Sequence, residues 1–353
     1  MRSIFSFINS LNQNYKTLQY FWFKEKANRD EEISLKERMW LWKNGFNTFH
    51  KSRYGLTKDN FHLYLDTWRY KKNAPAFNGI FNNIIDNKAM IPFLLPEKLT
   101  CENNIIFEKG KFVGANVEIE GSVEEYLIEQ VRHKDFIYKP VYSSLGTGVI
   151  LLTEENIKRV LGFTRLKKKT VIISERLLNL PYSDRIFSGS TNTIRINVMR
   201  NPNTNELFLL DAKHKFGTNK TASVDNWSKG GILFYIDIDN GMFTKGFQKN
   251  SKGQTVPISR HPDTNSPLTG VQIPGWNDAV KDLIQELNKS AWLRYTGIDA
   301  VLTRDGFKII ELNTVPDIEG LQSRIPLFKD PRTRAFLSSV GIQPRRKIDD
   351  KSE

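Results

Sequence analysis

Acidic and amide residues near the end of the 353-residue chain are spaced in a way that could do chemistry. Gly297-Ile298-Asp299-Ala300-Val301-Leu302 and Phe307-Lys308-Ile309-Ile310-Glu311-Leu312-Asn313 are strand-like runs joined at Arg304-Asp305-Gly306. Register decides whether the acids cooperate. A two-residue Asp-Gly turn pairs Asp299 with Leu312 and sends Glu311 to the other face. A three-residue loop, with Gly306 left-handed after a type I turn, pairs Asp299 with Glu311. In that register Asp299, Glu311 and Asn313 share one side, and two carboxylates so gathered repel unless a cation sits between them. Oxygen-only ligands suit Mg²⁺ or Mn²⁺, which bind nucleotide phosphates. The competing reading is a hairpin with solvated acids. The apolar neighbours Ile298, Ala300, Leu302, Ile309 and Ile310 favour a strand buried on its opposite face.

A second group is Lys139-Pro140-Val141-Tyr142-Ser143-Ser144-Leu145-Gly146-Thr147-Gly148. A glycine-rich loop with small hydroxyl residues lets backbone N–H groups close on phosphate oxygens, with the lysine adding charge at the strand end. No Gly-Lys-Ser/Thr follows, so it is not a Walker A loop, and a plain hairpin turn competes. Arg195 alternates with Ile194 and Ile196 and so faces away from them. Such an arginine is a clamp for phosphoryl or carboxylate oxygens, although a surface salt bridge is the commoner fate. His261, before a proline, is more often a turn residue than a catalyst. His50, His62, His133 and His214 show no ligand spacing.

These residues need elements to position them. Residues 1–72 read as helices, clearest from Ser34 to His50 and closing at Tyr70-Lys71-Lys72. Phe77 to Asn87 is helical in period, and Asn104–Phe107 with Lys111–Val113 reads as a hairpin around Lys109-Gly110. Val123 to Val131 is an amphipathic helix. From Asp135 the pattern changes to short strands: FIYKPV, GVILL, TVIISERL, TIRINVMR, LFLLDAKHKF, GILFYIDI, GIDAVL and FKIIEL. Helices near Glu154–Val160 and over Trp276–Trp292 interrupt them, which argues for an α+β domain rather than a doubly wound sheet. After Ile325 come a short helix and a polar tail.

Composition narrows the class. Hydrophobic residues at 39% and charged residues at 26% describe a globular chain, and the single Cys101 excludes an internal disulfide or an all-cysteine metal cage. No apolar run approaches the ~18 residues that cross a bilayer, and Asn, Gln and Tyr interrupt the first apolar stretch before a signal-peptide core forms. The expected location is the cytoplasm. Of the formal net charge of +13, residues 1–72 contribute a surplus of 7 (14 Lys+Arg against 7 Asp+Glu). That stretch also holds Trp22, Trp40, Trp42 and Trp68. Rings at helical spacing are more often core, so packing is the preferred reading, with contact to anionic lipid as the other. No motif for nucleic acid is present.

In this order the pieces resemble the ATP-grasp superfamily, and within it the sugar-transfer-associated ATP-grasp proteins, related to alpha-L-glutamate ligases. The likeness rests on FIYKPVYSSLGTGV, VIISERLLN, STNTIRI, VDNWSKGGI, HPDT followed by G and IP, and GIDAVLTRDGFKIIELN. It covers roughly Ala74 to Ile325. It implies an ATP-grasp fold, two α+β subdomains gripping ATP, and does not extend to the N-terminal region that the residue pattern gives as helical. The corresponding division is 1–72 helical, 73–134 a small preceding region, 135–330 the catalytic domain, and 331–353 a C-terminal helix and tail. By similarity Lys139 and Lys88 would contact the nucleotide phosphates, Ser143, Ser144, Gly146, Thr147 and Gly148 would cover them, and Glu175-Arg176-Leu177 would receive adenine. Asp299, Glu311 and Asn313 match the metal trio, and Arg195 an arginine that steadies the transferred phosphoryl group. Asn192, Lys215, Asp225, Asn226, Gly230, Gly231 and His261 would lie on the substrate side. Lys215 stands where an arginine is expected, and Leu312 replaces the more usual glycine of Glu-Gly-Asn.

The resemblance implies carboxylate activation by ATP with Mg²⁺ or Mn²⁺: an acyl phosphate forms, and an amine of an amino acid, amino sugar or peptide displaces phosphate. The branch name points to cell-surface polysaccharide or peptide-conjugate synthesis, with peripheral contact to membrane or polysaccharide machinery. A kinase acting on a sugar or polyol hydroxyl is the nearest rival. A nonenzymatic basic adaptor binding membrane or polymer is the rival from another class.

Overall fold

The computed structural model describes residues 2–142, 147–162, 169–221, 224–251 and 253–346. Contacts divide the chain into two compact units: Met1–Ile80 with Met199–Glu206 and Val315–Glu353, and Phe81–Val198 with Leu207–Thr314.

The first unit contains α1 (Arg2–Asn28), α2 (Leu35–Lys43), α3 (Phe49–Tyr54) and α4 (Thr67–Asn78), and α2, α3 and the segments beside them supply a core of Ile33, Leu41, Phe46, Tyr54, Leu56, Phe61 and Tyr64. The expected helix from Ser34 to His50 is two helices. Gly45 breaks it with φ +75°, and a Cβ there would sit 2.4 Å from Asp66 Oδ1. Helix α4 also runs straight through Tyr70-Lys71-Lys72, where the helical stretch was expected to close. Ser34 and Asp66 cap α2 and α4 by accepting from Glu37 N and Arg69 N. No helix among the described residues is long and apolar enough to cross a membrane.

The second unit holds most of two sheets. The five-stranded sheet has the order β2-β1-β5-β3-β4, from β1 (Ile105–Glu108), β2 (Lys111–Ala115), β3 (Phe136–Pro140), β4 (Ile150–Leu152) and β5 (Thr170–Glu175). Helices Val123–Gln130 and Ile157–Gly162 cover one face, burying Leu127, Phe136, Tyr138, Ile157 and Val171. Alternation along β3 leaves Ile137 and Lys139 on the opposite face.

The seven-stranded sheet has the order β10-β9-β8-β7-β6-β11-β12. Its strands are β6 (Ile194–Arg200), β7 (Leu207–Phe216), β8 (Ile232–Ile236), β9 (Phe243–Lys249), β10 (Thr255–Ile258), β11 (Tyr295–Thr303) and β12 (Gly306–Asn313). Helix Trp276–Asn288 packs Trp276, Leu283 and Leu287 into the core with Ile194, Ile196, Phe216, Ile298, Ala300, Ile309 and Leu312. The fold is α+β, as the pattern predicts. Strands β9 and β10 are additions to the expected set.

Candidate functional site

The β11–β12 hairpin answers the register question by a route the turn alone did not show. Cα partners run from Thr303 with Gly306 to Ala300 with Ile309, so the tip is the two residues Arg304-Asp305. The register then shifts: Asp299 pairs with Glu311 and Gly297 with Asn313, leaving Ile310 as an extra residue. Ile309 and Glu311 are two apart and would share a face on a regular strand. The bulge separates them, so Ile309 enters the core while Glu311 joins Asp299 and Asn313 on the polar face. The expected pairing holds, by a bulge rather than a three-residue loop.

Protein cations meet both acids. Arg195 grips Asp299 with both arms of its guanidinium, Nε to Oδ1 at 2.6 Å and Nη2 to Oδ2 at 2.7 Å, and Lys215 Nζ reaches Oδ1 at 3.1 Å. Burial pushes the Asp299 carboxyl up, but Arg195 and Lys215 outweigh it and hold it well below the usual carboxylate range. Lys88 Nζ lies 2.9 Å from Glu311 Oε1. Asn313 donates from Nδ2 to Gly297 O at 3.3 Å, leaving its Oδ1 as an acceptor.

Lys139 of β3 lines a small cavity with Lys88, Cys101, Asn104, Ile309 and Ile310. Burial lowers its pKa and Lys88 adds to the shift, against the opposing charge of Glu311. No ion pair of Lys139 is formed among the described residues. Its ammonium is thus held beside a second cation, an arrangement that an anionic ligand would relieve.

Sequence reasoning missed several residues here. Asp86 accepts Thr314 N at 2.8 Å and Thr314 Oγ1 at 2.7 Å, fastening the segment that carries Lys88 to the residue after Asn313. On β6 and β7 the polar face continues through Asn197, Asp211 and Lys213. Asn197 donates to Asp211, and Lys213 Nζ lies 3.2 Å from the same carboxylate. The signal was present in Asp211-x-Lys213-x-Lys215, alternating with Ala212, His214 and Phe216.

Other expected site residues are occupied in bracing the fold. Asn192 is buried; it donates to Ser183 Oγ and Phe187 O and accepts from Ser190 Oγ and Gly217 N. His261 is stacked on Phe187, bonds Gly217 O through Nε2 at 2.9 Å, and accepts from Asp263 N and Thr264 N at Nδ1. Burial lowers its pKa, so it is a neutral structural imidazole. Asp225 accepts from Thr193 N at 2.7 Å and from Thr193 Oγ1, two residues before Arg195. Asn226 caps the turn Trp227–Lys229, after which Gly230 takes φ +109° and Gly231 N bonds Asn226 O. Glu175 pairs with Lys134, and Arg176 N already donates to Asp135 O at 2.8 Å. The Leu177 N–H has no partner among the described residues. Thr147 and Gly148 are exposed. Ser143, Ser144 and Gly146 lie outside the described residues.

The donor set fits a hard divalent ion. Its side chains offer only oxygens: both of Asp299, the second oxygen of Glu311, and Asn313 Oδ1, all on one face of the hairpin. Lys88, Lys139, Arg195 and Lys215 around them suit a polyphosphate.

The family model for sugar-transfer associated ATP-grasp proteins matches residues 157–324. That segment carries Arg195, Lys215, Asp299, Glu311 and Asn313, while Lys88, Lys139 and the glycine loop precede it. No curated protein matches the chain. Among solved structures, phosphoribosylamine–glycine ligase from Thermotoga maritima is 13% identical with a TM-score of 0.42, over 75% of this chain and 57% of that one. The biotin carboxylase domain of 2-oxoglutarate carboxylase from Hydrogenobacter thermophilus, in complex with MgADP, ADP and bicarbonate, is 10% identical with a TM-score of 0.39, over 75% and 47%. D-alanyl-alanine synthetase A from Vibrio cholerae is 10% identical with a TM-score of 0.38, over 78% and 63%. The chain spans about half the length of the first of these structures it matches. Residues 157–324, which supply the Arg195–Asp299 clamp and the bulged hairpin, are the part of the chain that is similar to the sugar-transfer associated ATP-grasp family.

Proposed function

We propose that the chain is a cytoplasmic ATP-dependent ligase that joins a small-molecule carboxylate to an amine through an acyl phosphate, with Mg²⁺ or Mn²⁺ as the divalent ion. The observation that carries this reading is the pairing of Asp299 with Glu311, made possible by the Ile310 bulge and met by three cations, Lys88, Arg195 and Lys215, with Lys139 within electrostatic reach of Glu311. The ion would supply charge neutralisation at the phosphates. Lys88 and Lys139 would bind the nucleotide tail, and Leu177 N–H would meet the base. Arg195 and Lys215, sharing Asp299 as counter-ion, would steady the phosphoryl group as it passes to the carboxylate oxygen. Such catalysis is positioning and electrostatics, so the neutral, internally bonded His261 is not needed as a base. The buried free thiol of Cys101 suits a reducing compartment.

The family description supports a role in building a cell-surface polysaccharide or peptide conjugate, with an amino acid, amino sugar or peptide as acceptor. The test is a panel of such carboxylates and amines scored for ADP and inorganic phosphate together. Equal release of both, with a condensed product by mass spectrometry, supports ligation. ADP without free phosphate, with a phosphorylated hydroxyl, makes the protein a kinase. No turnover of Mg-ATP with any pair overturns the reading.

A further inference from the structure

Among the described residues, the polar anchors of helix α1 lie along one side. Gln13 donates to Lys71 O at 2.8 Å, Asn47 donates to Phe21 O at 3.0 Å, Lys24 pairs with Glu319 at 3.1 Å, and Phe21 packs edge-on against Trp68. Glu25, the helix's one acid, is buried and accepts from Thr48 N and Oγ1 at 2.9 and 2.8 Å. These anchors fix which face looks outward. That face carries Leu11, Tyr15, Leu18 and Trp22 at helical spacing, exposed by 52%, 59%, 43% and 45%. The sequence continues the same spacing toward the N-terminus at Ile4, Phe7 and Ile8.

The stripe does not end with α1. The Trp22 ring meets Trp42 of α2 edge-on at 5.1 Å, and Trp42 shares a helical stripe with Met39 and Leu35, which are also exposed. Two apolar stripes therefore join at a tryptophan pair. Exposed Lys16, Lys26, Lys36 and Lys43 accompany them on α1 and α2, within a stretch that carries 14 Lys+Arg against 7 Asp+Glu. The acids Asp30, Glu31 and Glu32 lie past the C-terminal end of α1. An apolar ridge with aromatic rings and a basic surround is complementary to one kind of surface, the headgroup region of an anionic bilayer.

We infer that α1 and α2 form a peripheral membrane-docking surface, with Leu11, Tyr15, Leu18, Trp22, Leu35 and Met39 entering the headgroup–acyl boundary and the lysines meeting anionic headgroups. The helix lies in the plane of the membrane and does not cross it. This inference rests on α1 and α2 alone and is independent of the ligase reading.

The test uses the full chain and vesicles of phosphatidylcholine, with and without phosphatidylserine. The expected result is co-sedimentation with the anionic vesicles, weakened by salt. Leu18→Glu with Trp22→Glu should lower that binding at least tenfold. Lys16→Glu with Lys26→Glu, which leaves the ridge intact, should lower it and remove the salt dependence. Circular dichroism of both variants should match the parent. No binding, equal binding to neutral vesicles, or an unchanged ridge variant overturns the inference. So does a stable dimer without vesicles that Leu18→Glu with Trp22→Glu dissociates, because the ridge then meets a second copy of the chain.

Discussion

The polar face of the seven-stranded sheet and the outward face of α1 are both rich in cations, but their cations have different surroundings. On the sheet, Arg195 and Lys215 hold Asp299, Lys88 holds Glu311, and Lys213 lies beside Asp211. On α1 the one acid is turned inward to Thr48, and the outward lysines flank apolar rings. Net charge alone would give both regions the same meaning. Pairing separates them: matched charges at low exposure suit a site for chemistry, and charges with no ion pair among the described residues, beside apolar area, suit a surface for adhesion.

The sharpest way to break this contrast is at the matched charges. Asp299→Asn keeps the shape but removes the counter-ion of Arg195 and Lys215, and acceptor-dependent ADP formation should fall by ~10³-fold. A fall of less than tenfold would detach Asp299 from the reaction. Lys139→Met should follow with a loss of ~10²-fold, expressed largely in the KM for ATP if the ammonium grips ground-state phosphate. By contrast, Leu18→Glu with Trp22→Glu should leave turnover in vesicle-free solution within about twofold.

Smaller effects test the residues assigned to bracing. His261→Ala removes bonds to Gly217, Asp263 and Thr264, and should lower stability by about 2–4 kcal/mol in urea unfolding. A change below about 0.5 kcal/mol would return His261 to the substrate side, where the resemblance puts it. Acid provides a further check. Burial holds His214 at about 3, and the pKa values of His50 and His261 are also lowered. The unfolded chain therefore takes up protons below the ordinary histidine value of 6.5 that the folded chain refuses. Stability should be level above that value and fall as pH drops toward 3, by about 1.4 kcal/mol per pH unit for each histidine still neutral in the fold. Asp299, held below its ordinary value, acts in the same direction at lower pH. Urea midpoints that do not move between about pH 7.5 and about pH 5 would contradict this.

Much of the frame was legible in the residues. The run LFLLDAKHKF is β7 end to end, and the hairpin at Lys109-Gly110 forms with both residues at positive φ. The opposition of Asp299 and Glu311 was one of two open registers. What decided it, Ile310, leaves no trace in an alternation pattern, because an extra residue looks like one more apolar position. Strands β9 and β10 escaped because FTKGFQK and TVPI lack a clear period and lie toward the sheet edge, where Pro257 is tolerated. The break at Gly45 depends on Asp66, and the inward roles of Asn192 and His261 depend on partners elsewhere in the chain. Residue type announces what a side chain can bond, and only the fold shows whether those bonds are already made.

The central claim concerns the oxygens of Asp299, Glu311 and Asn313 acting together with Lys88 and Lys139 on a nucleotide tail. Calorimetric titration of ATP with and without Mg²⁺, into the parent chain and into Glu311→Gln, tests it most directly. The account predicts tight binding that requires the divalent ion and is lost in the variant. Binding of equal strength without the ion, or in Glu311→Gln, would contradict it.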